Sequence, residues 1–422
     1  MRTRIRIKRW VSFKNSKFGR EEPPAHPFCR HILLLLLVAT ATAPTTSFAE
    51  ATEVKERGPT ENSASEAPTS VETRSAASTA PTTSFAEATE VKERGPAGAR
   101  AFERIPWQLP TENRYLFENQ PKKFYQPTIS RRLISGMFGF TRTSEPEPAR
   151  IFERFHKGVD IRPLRRDARG EPLDPVRACA DGLVVRVNDD EKISDYGKQV
   201  IVRHDWGGLP VFTVYAHLGS VAAKVGQVVR AGDELGILGW TGPGLVQSRA
   251  HLHLEVVFQI NPRFDEWVRA AKPGRLWEPN RHGEWHGLNL MGIDPVPLLQ
   301  AAHEGTPRTW AEALAVQPGG FVVRVPAPKS RVVWTDWVQV EENCPGAQSW
   351  EIEMTPWGLP LKVRASAPPV AEAELVANPG RPNEGKYYCR GLVQADGKGG
   401  MRLSRFGRQY MEMMMFVGPT VR

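Results

Sequence analysis

The sequence has few cysteines, no long apolar segment and little net charge beyond its first residues. Residues 1–30 hold nine Lys or Arg against two Glu, so the formal net charge of +9 falls to about +2 over the rest of the chain. Downstream there is no dense Lys/Arg run with interleaved aromatic residues, which argues against nucleic-acid binding. Of the four cysteines, Cys29 lies in the basic leader and Cys179 is predicted to be a packed core thiol. Cys344 and Cys389 can pair in an oxidising compartment.

Several sequence signatures of other enzyme classes are also missing. The glycines between residues 226 and 239 lack the Lys-Ser/Thr ending and the strand-to-helix context of a phosphate loop, so we interpret them as turn glycines. There is no G-x-S-x-G motif for a nucleophilic serine. HGEWH at residues 282–286 does not place Glu directly after the first His, and its glycine disfavours the helix that a zinc HExxH motif needs. We predict ordinary packing for His204, which ends a strand.

The first 49 residues have the design of a secretory signal. A basic stretch through Arg30 precedes an apolar run at residues 32–38, and small residues at Ser47 and Ala49 suit a signal peptidase. The run is shorter than the roughly twenty residues needed to span a bilayer. We therefore expect secretion across the cytoplasmic membrane to the periplasm or cell envelope, with an uncleaved membrane anchor as the alternative.

The rest of the chain divides into four predicted segments. Eighteen residues at 42–59 recur at 79–96, and the surrounding composition predicts a disordered linker at residues 50–100. An ordered, aromatic lead-in follows at residues 101–150. We place a peptidase domain at residues 151–305 and a C-terminal β-rich module of unknown role at residues 306–422.

Short alternating runs predict that the structured part is mainly antiparallel β. In the central domain the predicted strands are residues 182–187, 199–204, 211–217 and 251–258, and a helix at residues 296–302 closes it. In the C-terminal module they are residues 321–325, 332–340, 350–354 and 359–363. The five tryptophans from Trp310 onward and the methionines Met411, Met413, Met414 and Met415 are predicted to pack in cores.

Two short motifs place histidines and a carboxylate at close spacing. HKGVD at residues 156–160 puts His156 and Asp160 four residues apart, with a glycine between that suits a tight turn into a strand. HLHLE at residues 251–255 lies in an alternating strand, whose period of two directs His251 and His253 to one face. His217 ends a further strand and is a third histidine that can reach the same place.

These residue types suit a hydrolytic zinc centre, which takes three protein ligands and keeps a fourth position for water. His156, Asp160 and His253 would supply the three ligands for one Zn²⁺ per chain. Zinc lowers the pKa of its water from near 16 toward about 7 and polarises a scissile carbonyl. His217 and His251 are then left for proton transfer or for stabilising an oxyanion, and either one can serve.

Together the motifs resemble the lysostaphin-type, or LytM-like, zinc metallopeptidase family, whose marks are HxGxD, a YxHL strand end and HLHxE. The matching segments are residues 156–160, 215–218 and 251–255, in the family's order. The resemblance covers residues 153–258 and implies His156, Asp160 and His253 as zinc ligands. It implies His217 and His251 as the catalytic histidines, and a small antiparallel β fold with an open groove.

The resemblance also implies hydrolysis of peptide bonds in bacterial peptidoglycan, in stem peptides or cross-bridges, during cell-wall remodelling. The alternative is a non-catalytic member that binds and activates another cell-wall hydrolase, so partners among other cell-envelope proteins stay open. Two segments depart from the family pattern. The connection between Asp160 and Cys179 is longer and rich in Arg and Asp, and we expect it to rim the groove. The loop at residues 243–250 is also longer and can shift His251.

Overall fold

A computed structural model of the chain describes residues 104–140, 155–271, 280–341, 347–366, 368–377 and 391–418. All of them fall within one compact unit, Glu87–Arg422. The predicted signal and linker, together with Cys344 and Cys389, lie outside the described residues. Within the described part, no helix combines the length and apolarity needed to cross a membrane.

The main element of the fold is a nine-stranded sheet. Its strands are β1 (Val159–Ile161), β2 (Pro175–Arg177), β3 (Gly182–Asn188), β4 (Lys198–Trp206), β5 (Leu209–Val221), β6 (Val228–Val229), β7 (Glu234–Leu238), β8 (Leu252–Gln259) and β9 (Leu290–Ile293). The order is β1-β8-β5-β4-β3-β6, with β9 also on β8 and β7 pairing with both β5 and β2. Every one of these pairings is antiparallel. The predicted antiparallel β fold is confirmed.

A second, smaller sheet follows along the chain. Its strands are β10 (Phe321–Pro326), β11 (Gln339–Glu341), β12 (Ser349–Met354), β13 (Pro360–Ser366) and β14 (Glu374–Ala377), and β15 (Val393–Ala395) pairs separately with β16 (Met401–Leu403). The order in the sheet is β11-β13-β12-β10-β14, and only the β11–β13 pair is parallel among its described strands. The helices are α1 (Pro121–Phe124), α2 (Phe264–Ala271), α3 (Pro295–His303), α4 (Trp310–Ala315) and α5 (Arg405–Met415).

The central strands of the main sheet are covered on both faces. In β5, Val211 and Tyr215 join the large core, whereas Phe212 and Val214 join a second apolar cluster on the opposite face. Alternation along β8 divides it in the same way, and all of β8 except its last residue is buried. Because residues of period two alternate between faces, one face of β8 packs the core with leucine and valine. The other face carries the polar residues of the HLHLE motif.

The lead-in at residues 104–140 is ordered and packs on this sheet. Trp107 and Phe124 are buried in the same core as the strands. The backbone N–H of Gln126 donates to the carbonyl of Asp160 at 2.8 Å, and that of Arg162 donates to the carbonyl of Phe124 at 2.9 Å. The lead-in thereby holds the chain on either side of β1.

The C-terminal part shares its core with the main sheet. Trp357 stacks on Phe155 with ring centroids 5.8 Å apart, and its indole N–H donates to the carbonyl of Gly292 at 2.9 Å. Trp337 stacks on Phe258 at 5.2 Å. The two sheets are therefore parts of one hydrophobic core. The boundary predicted at residues 305 and 306 stays a prediction.

Core packing of the C-terminal tryptophans and methionines is confirmed, but one predicted strand is wrong. Residues 332–340 form a 3-10 turn at Val333–Asp336, and only Gln339–Glu341 is extended. Trp334 and Trp337 are both buried. A strand would direct residues three apart to opposite faces, whereas a helical turn brings them to the same side. Burial of both tryptophans therefore favours the turn.

Candidate functional site

The HKGVD segment reaches the site because a glycine lets β1 lie close against β8. A Cβ on Gly158 would stand 2.3 Å from the backbone oxygen of Leu254, a distance that no side chain tolerates. The register places Asp160 directly opposite His253. Cross-strand neighbours of this kind lie on the same face of the sheet. The two motifs, far apart in sequence, therefore meet by strand pairing.

His217 reaches the same place through an unusual backbone conformation. Its φ is +61°, one of three non-glycine positive values among the described residues. Its neighbour Ala216 pairs with His253 across β5 and β8, and the backbone N–H of His217 donates to the carbonyl of Tyr196 at 2.9 Å. Positive φ in a residue other than glycine is costly and persists where surrounding contacts enforce it.

Three ligand atoms converge on one point. His156 Nε2 lies 2.8 Å from Asp160 Oδ1 and 3.1 Å from His253 Nδ1, and His253 Nδ1 lies 2.9 Å from Asp160 Oδ1. All three side chains are buried. Among the described residues, no other set of three or more His, Cys, Asp or Glu has the spacing of a metal site. The predicted ligand residues are therefore brought together.

His156 and His253 each make one hydrogen bond directed away from the ligand cluster, and this bond determines which ring nitrogen faces the cluster. His156 Nδ1 lies 2.7 Å from the carbonyl of Met137, and His253 Nε2 lies 2.9 Å from Glu255 Oε1. Both partners are acceptors, so each of these nitrogens carries the proton and the opposite nitrogen presents a lone pair. Two imidazole lone pairs and a carboxylate oxygen then aim at one another, an arrangement that a divalent cation satisfies. Tetrahedral zinc would set these atoms about 3.3 Å apart, a few tenths of an ångström wider than they stand here.

Behind His253 lies a buried network that the sequence analysis gave no role. Glu255 Oε1 accepts from His253 and also from the Tyr196 hydroxyl at 2.8 Å, and Lys157 Nζ lies 4.0 Å away. Lys157 donates to the carbonyl of Gly287 at 2.5 Å. A carboxylate behind a ligating histidine orients the ring and raises its basicity. The alternation of β8 could have identified Glu255, and Tyr196 belongs to a Tyr-Gly pair that also resembles the family, whereas no sequence signal indicated a role for Lys157.

The two predicted catalytic histidines are oriented in a similar manner, but by backbone carbonyls. His217 Nδ1 donates to the carbonyl of Thr241 at 2.8 Å, and His251 Nδ1 donates to the carbonyl of Arg249 at 2.7 Å. Their ring centroids are 4.8 Å apart, and His251 Nε2 lies 3.4 Å from Asp160 Oδ1. In both rings Nε2 is the nitrogen available to the site. The structure thus places His217 and His251 beside the ligand cluster.

Burial and neighbouring charges shift the titration of these groups. Burial disfavours charge on Asp160, yet His156 and His251 hold the pKa of its carboxyl well below the usual range. Burial likewise opposes ionisation of Glu255, but Lys157 and His253 lower its pKa to about 2. For His253, hydrogen bonds to Asp160 and Glu255 outweigh burial and raise its pKa. Burial, reinforced by His251 and His253, lowers the pKa of His217 well below its usual value. His217 is therefore a neutral base, and both carboxylates are ionised.

His204 and Cys179 are packing residues, as predicted. His204 donates from Nδ1 to the carbonyl of Asp181 at 2.7 Å, and its Nε2 lies 2.8 Å from Thr213 Oγ1. Burial lowers the pKa of His204 to about 4. Cys179 is buried in the core, and burial raises the pKa of its thiol to about 12. A thiol with so high a pKa is a poor nucleophile.

Comparison with known proteins gives a family for the central part of the chain. Residues 154–263 match the model of Peptidase family M23. An uncharacterized metalloprotease of Haemophilus influenzae is 36% identical over 158 residues, 37% of this chain and 29% of that protein. Cell division protein DipM of Caulobacter vibrioides is 32% identical over 98 residues, 23% of this chain and 15% of that protein. This chain thus spans less than a third of the length of these curated relatives.

A solved structure is similar over a part of the chain. The catalytic domain of the antimicrobial peptidase lysostaphin from Staphylococcus simulans is 27% identical, covers 28% of this chain and 76% of that chain, and has a TM-score of 0.21. The family match begins two residues before His156 and ends eight residues after Glu255. Both motifs, His217 and the buried network therefore fall inside it. The chain carries a domain of peptidase family M23 at residues 154–263.

Proposed function

We propose that this protein is a zinc-dependent endopeptidase that hydrolyses peptide bonds in bacterial peptidoglycan. The observation that carries the proposal is the convergence of three acceptor atoms, from His156, Asp160 and His253, within 2.8–3.1 Å of one another beside two further oriented histidines. With both imidazoles neutral, these three buried acceptor atoms face one another, and a bound cation would satisfy all of them together. A metal-assisted hydrolase needs this arrangement.

The protein groups have separate tasks in this proposal. His156, Asp160 and His253 would hold one Zn²⁺, with Glu255 fixing the ring of His253. Bound zinc supplies Lewis acidity that activates water and polarises the scissile carbonyl. His217, kept neutral by burial, can accept a proton, and His251 beside Asp160 can hold a proton for the developing oxyanion or the leaving amine.

The choice of peptidoglycan as substrate is supported by the sequence motifs and by two relatives. The motifs resemble those of lysostaphin-type peptidases, one similar structure is the antimicrobial peptidase lysostaphin, and another relative is a cell division protein. A substrate outside the cytoplasm is consistent with the secretory signal predicted at residues 1–49. We therefore place the protein in the periplasm or cell envelope, acting on stem peptides or cross-bridges.

The test combines zinc content with digestion of isolated peptidoglycan. We expect one equivalent of zinc and release of peptides whose masses identify the cleaved bond, with both lost in His253→Ala. His303→Ala is the matched control, because His303 is exposed at the end of α3, outside the ligand cluster. Zinc without cleavage would instead favour a non-catalytic member that activates another hydrolase. Absence of zinc would refute the enzyme.

A further inference from the structure

Two loops beside the site are hydrogen-bonded to each other. We call residues 162–174 the clasp loop and residues 239–250 the site loop. The clasp loop lies within the first segment in which the sequence departs from the family pattern, and the site loop contains the second. The site loop joins β7 to β8 and leads directly into His251. Contacts between the loops can therefore act on a histidine of the site.

The clasp loop is held rigidly by its own carboxylates. Asp174 is fully buried, and its two oxygens accept the backbone N–H groups of Leu164 at 2.8 Å and Arg165 at 3.0 Å. Asp167 Oδ1 accepts the backbone N–H of Glu171 at 2.8 Å, and the N–H of Asp167 donates to the carbonyl of Glu171 at 2.9 Å. These bonds fix the backbone of Glu171 independently of its contacts with the site loop.

The Glu171 carboxylate bridges two points of the site loop. Its Oε1 accepts from the side-chain amide of Gln247 at 2.6 Å, and its Oε2 accepts from the indole N–H of Trp240 at 2.9 Å. Arg166 donates to the backbone carbonyl of Gln247 at 2.9 Å. Hydrogen bonds to an ionised group are about twice as strong as neutral ones. Glu171 therefore supplies a strong link between the loops.

Gln247 lies one short turn before His251. It begins the 3-10 turn Gln247–Arg249, which contains no buried residue, so no apolar packing of its own side chains holds the turn. At its end, the carbonyl of Arg249 accepts from His251 Nδ1 at 2.7 Å. The orientation of the His251 ring thus depends on a turn that the clasp loop holds in place.

His217 does not depend on the clasp in the same way. Its carbonyl partner, Thr241, is anchored by its own hydroxyl, which donates to the carbonyl of Leu218 at 2.7 Å and accepts the backbone N–H of Lys198 at 3.0 Å. These bonds tie Thr241 to β4 and β5. Of the two histidines, only His251 therefore relies on contacts between the loops.

We propose that Glu171 is a positioning residue for His251, acting through Gln247 and the carbonyl of Arg249. The inference rests on the proposed function, because it assigns Glu171 a part in the same hydrolysis. Glu171 touches neither the ligand cluster nor the two histidines in any contact described above. Its effect is to keep the Arg249 carbonyl where His251 Nδ1 must donate, so that Nε2 points into the site.

The chemistry of the contact offers a sharp substitution. In Glu171→Gln, the amide oxygen can still accept from Trp240, but the new NH₂ faces the NH₂ of Gln247. Turning the Gln247 amide over relieves this contact only by breaking its bond to the carbonyl of Arg169, and it leaves a neutral hydrogen bond in place of a charge-assisted one. The reciprocal exchange Glu171→Gln with Gln247→Glu restores a donor facing an acceptor. The exchange transfers the carboxylate from residue 171 in the clasp loop to residue 247 in the site loop. The bond that it loses is the weaker one from Gln247 to the carbonyl of Arg169, at 3.1 Å.

The experiment measures kcat and KM of the zinc-loaded full chain on soluble cross-linked peptidoglycan fragments. Glu171→Gln should lower kcat about ten- to hundredfold, because small misplacements of a reacting group cost rates of that order, with KM and zinc content unchanged. The reciprocal exchange should recover most of that loss. Hydrogen exchange of residues 245–251 should quicken in Glu171→Gln and slow again in the exchange. Glu112→Gln is the control, since Glu112 pairs with Arg165 of the clasp loop at 3.1 Å and has no described contact with the site loop.

Each outcome separates this inference from the proposed function. If the wild-type chain cleaves and Glu171→Gln cleaves at the same rate, the inference is overturned and the peptidase stands. If kcat falls but the exchange does not recover it, and thermal stability falls in step, Glu171 is merely structural and the inference fails. If the wild-type chain binds zinc and cleaves nothing, both are overturned.

Discussion

Replacement of Glu255 by Gln tests whether the buried carboxylate behind His253 contributes to metal binding. The substitution keeps the shape of the side chain. The amide oxygen can still accept from His253, whose Nε2 lies 2.9 Å from the carboxylate in the wild-type protein, and from Tyr196. What disappears is the negative charge, which polarises the imidazole and faces Lys157 at 4.0 Å. The buried Lys157 ammonium then keeps its bonds to the backbone carbonyls of Gly287 and Leu290 and its position 5.7 Å from the centre of the Tyr196 ring.

The expected magnitude follows from the role of such outer carboxylates. Their loss lowers metal affinity by about 10- to 100-fold, which corresponds to about 1.4–2.8 kcal/mol of binding free energy. The site gives reason to expect the upper part of that range, because Glu255 is fully buried and remains ionised with a pKa of about 2 despite its burial. A charge maintained against burial interacts strongly with its neighbours.

The assay is a zinc dissociation constant from competition with chelators of graded affinity. Glu351→Gln is the matched control, because Glu351 is also buried and paired with arginines, Arg324 and Arg364, but lies in the second sheet. It should reduce stability and leave zinc affinity unchanged. An unaltered dissociation constant in Glu255→Gln would refute the argument that this carboxylate tunes the ligand.

Three other predictions concern the stability of the fold and the assembly of the site. The pKa of His204 is about 4 in the folded protein and about 6.5 in the unfolded chain, so its contribution to the free energy of unfolding is fully present above pH 6.5 and is lost as pH falls through 4, about 3 kcal/mol in total. His204→Gln should remove that part of the pH dependence of stability in denaturant titrations. An equal fall in stability with pH in both proteins would contradict this. Gly158→Ala should destabilise the fold by about 1–3 kcal/mol and lower zinc content, because β1 must move away from β8. The control Gly219→Ala, whose Cβ would stand 3.3 Å from the backbone oxygen of Leu238, should destabilise the fold less and leave zinc content unchanged. Trp357→Ala should cost about 3–5 kcal/mol and leave a single unfolding transition, since both sheets share one core; two separate transitions would show that they fold independently.

The parts of the fold that sequence reasoning predicted are those in which local pattern and tertiary packing agree. Alternation predicted β8, and its period of two directs His251 and His253 to one face. The 3-10 turn at Val333–Asp336 was not predicted, because residues 332–340 were interpreted as a strand, although Trp334 in the turn and Trp337 directly after it are both buried. Whether a strand or a helical turn buries two aromatic side chains depends on the groups from elsewhere in the fold that pack against them. For Trp334 that includes the carbonyl of Met414, 80 residues away.

The candidate metal ligands could be located from the sequence because their motifs have fixed short spacings, whereas the residues that support them have no such spacing. Glu255 shares a strand face with His253 and was within reach of pattern reasoning. Lys157 contacts Gly287 through its ammonium, a partner 130 residues distant that no local pattern indicates. A role for Glu171 likewise follows only from the contacts between the clasp loop and the site loop, which are distant in sequence.

Three of the four histidines of the site are oriented by backbone carbonyls, which come from two parts of the chain, the lead-in and the site loop. Met137 in the lead-in serves His156, Thr241 serves His217, and Arg249 serves His251. A carbonyl is available at every residue, so the path of the backbone decides the contact at these three positions, and the Thr241 hydroxyl helps to fix that path. The motif residues alone are therefore insufficient for a working centre. The lead-in, although it supplies none of the predicted ligands, contributes to the site by fixing which nitrogen of His156 is left to bind metal.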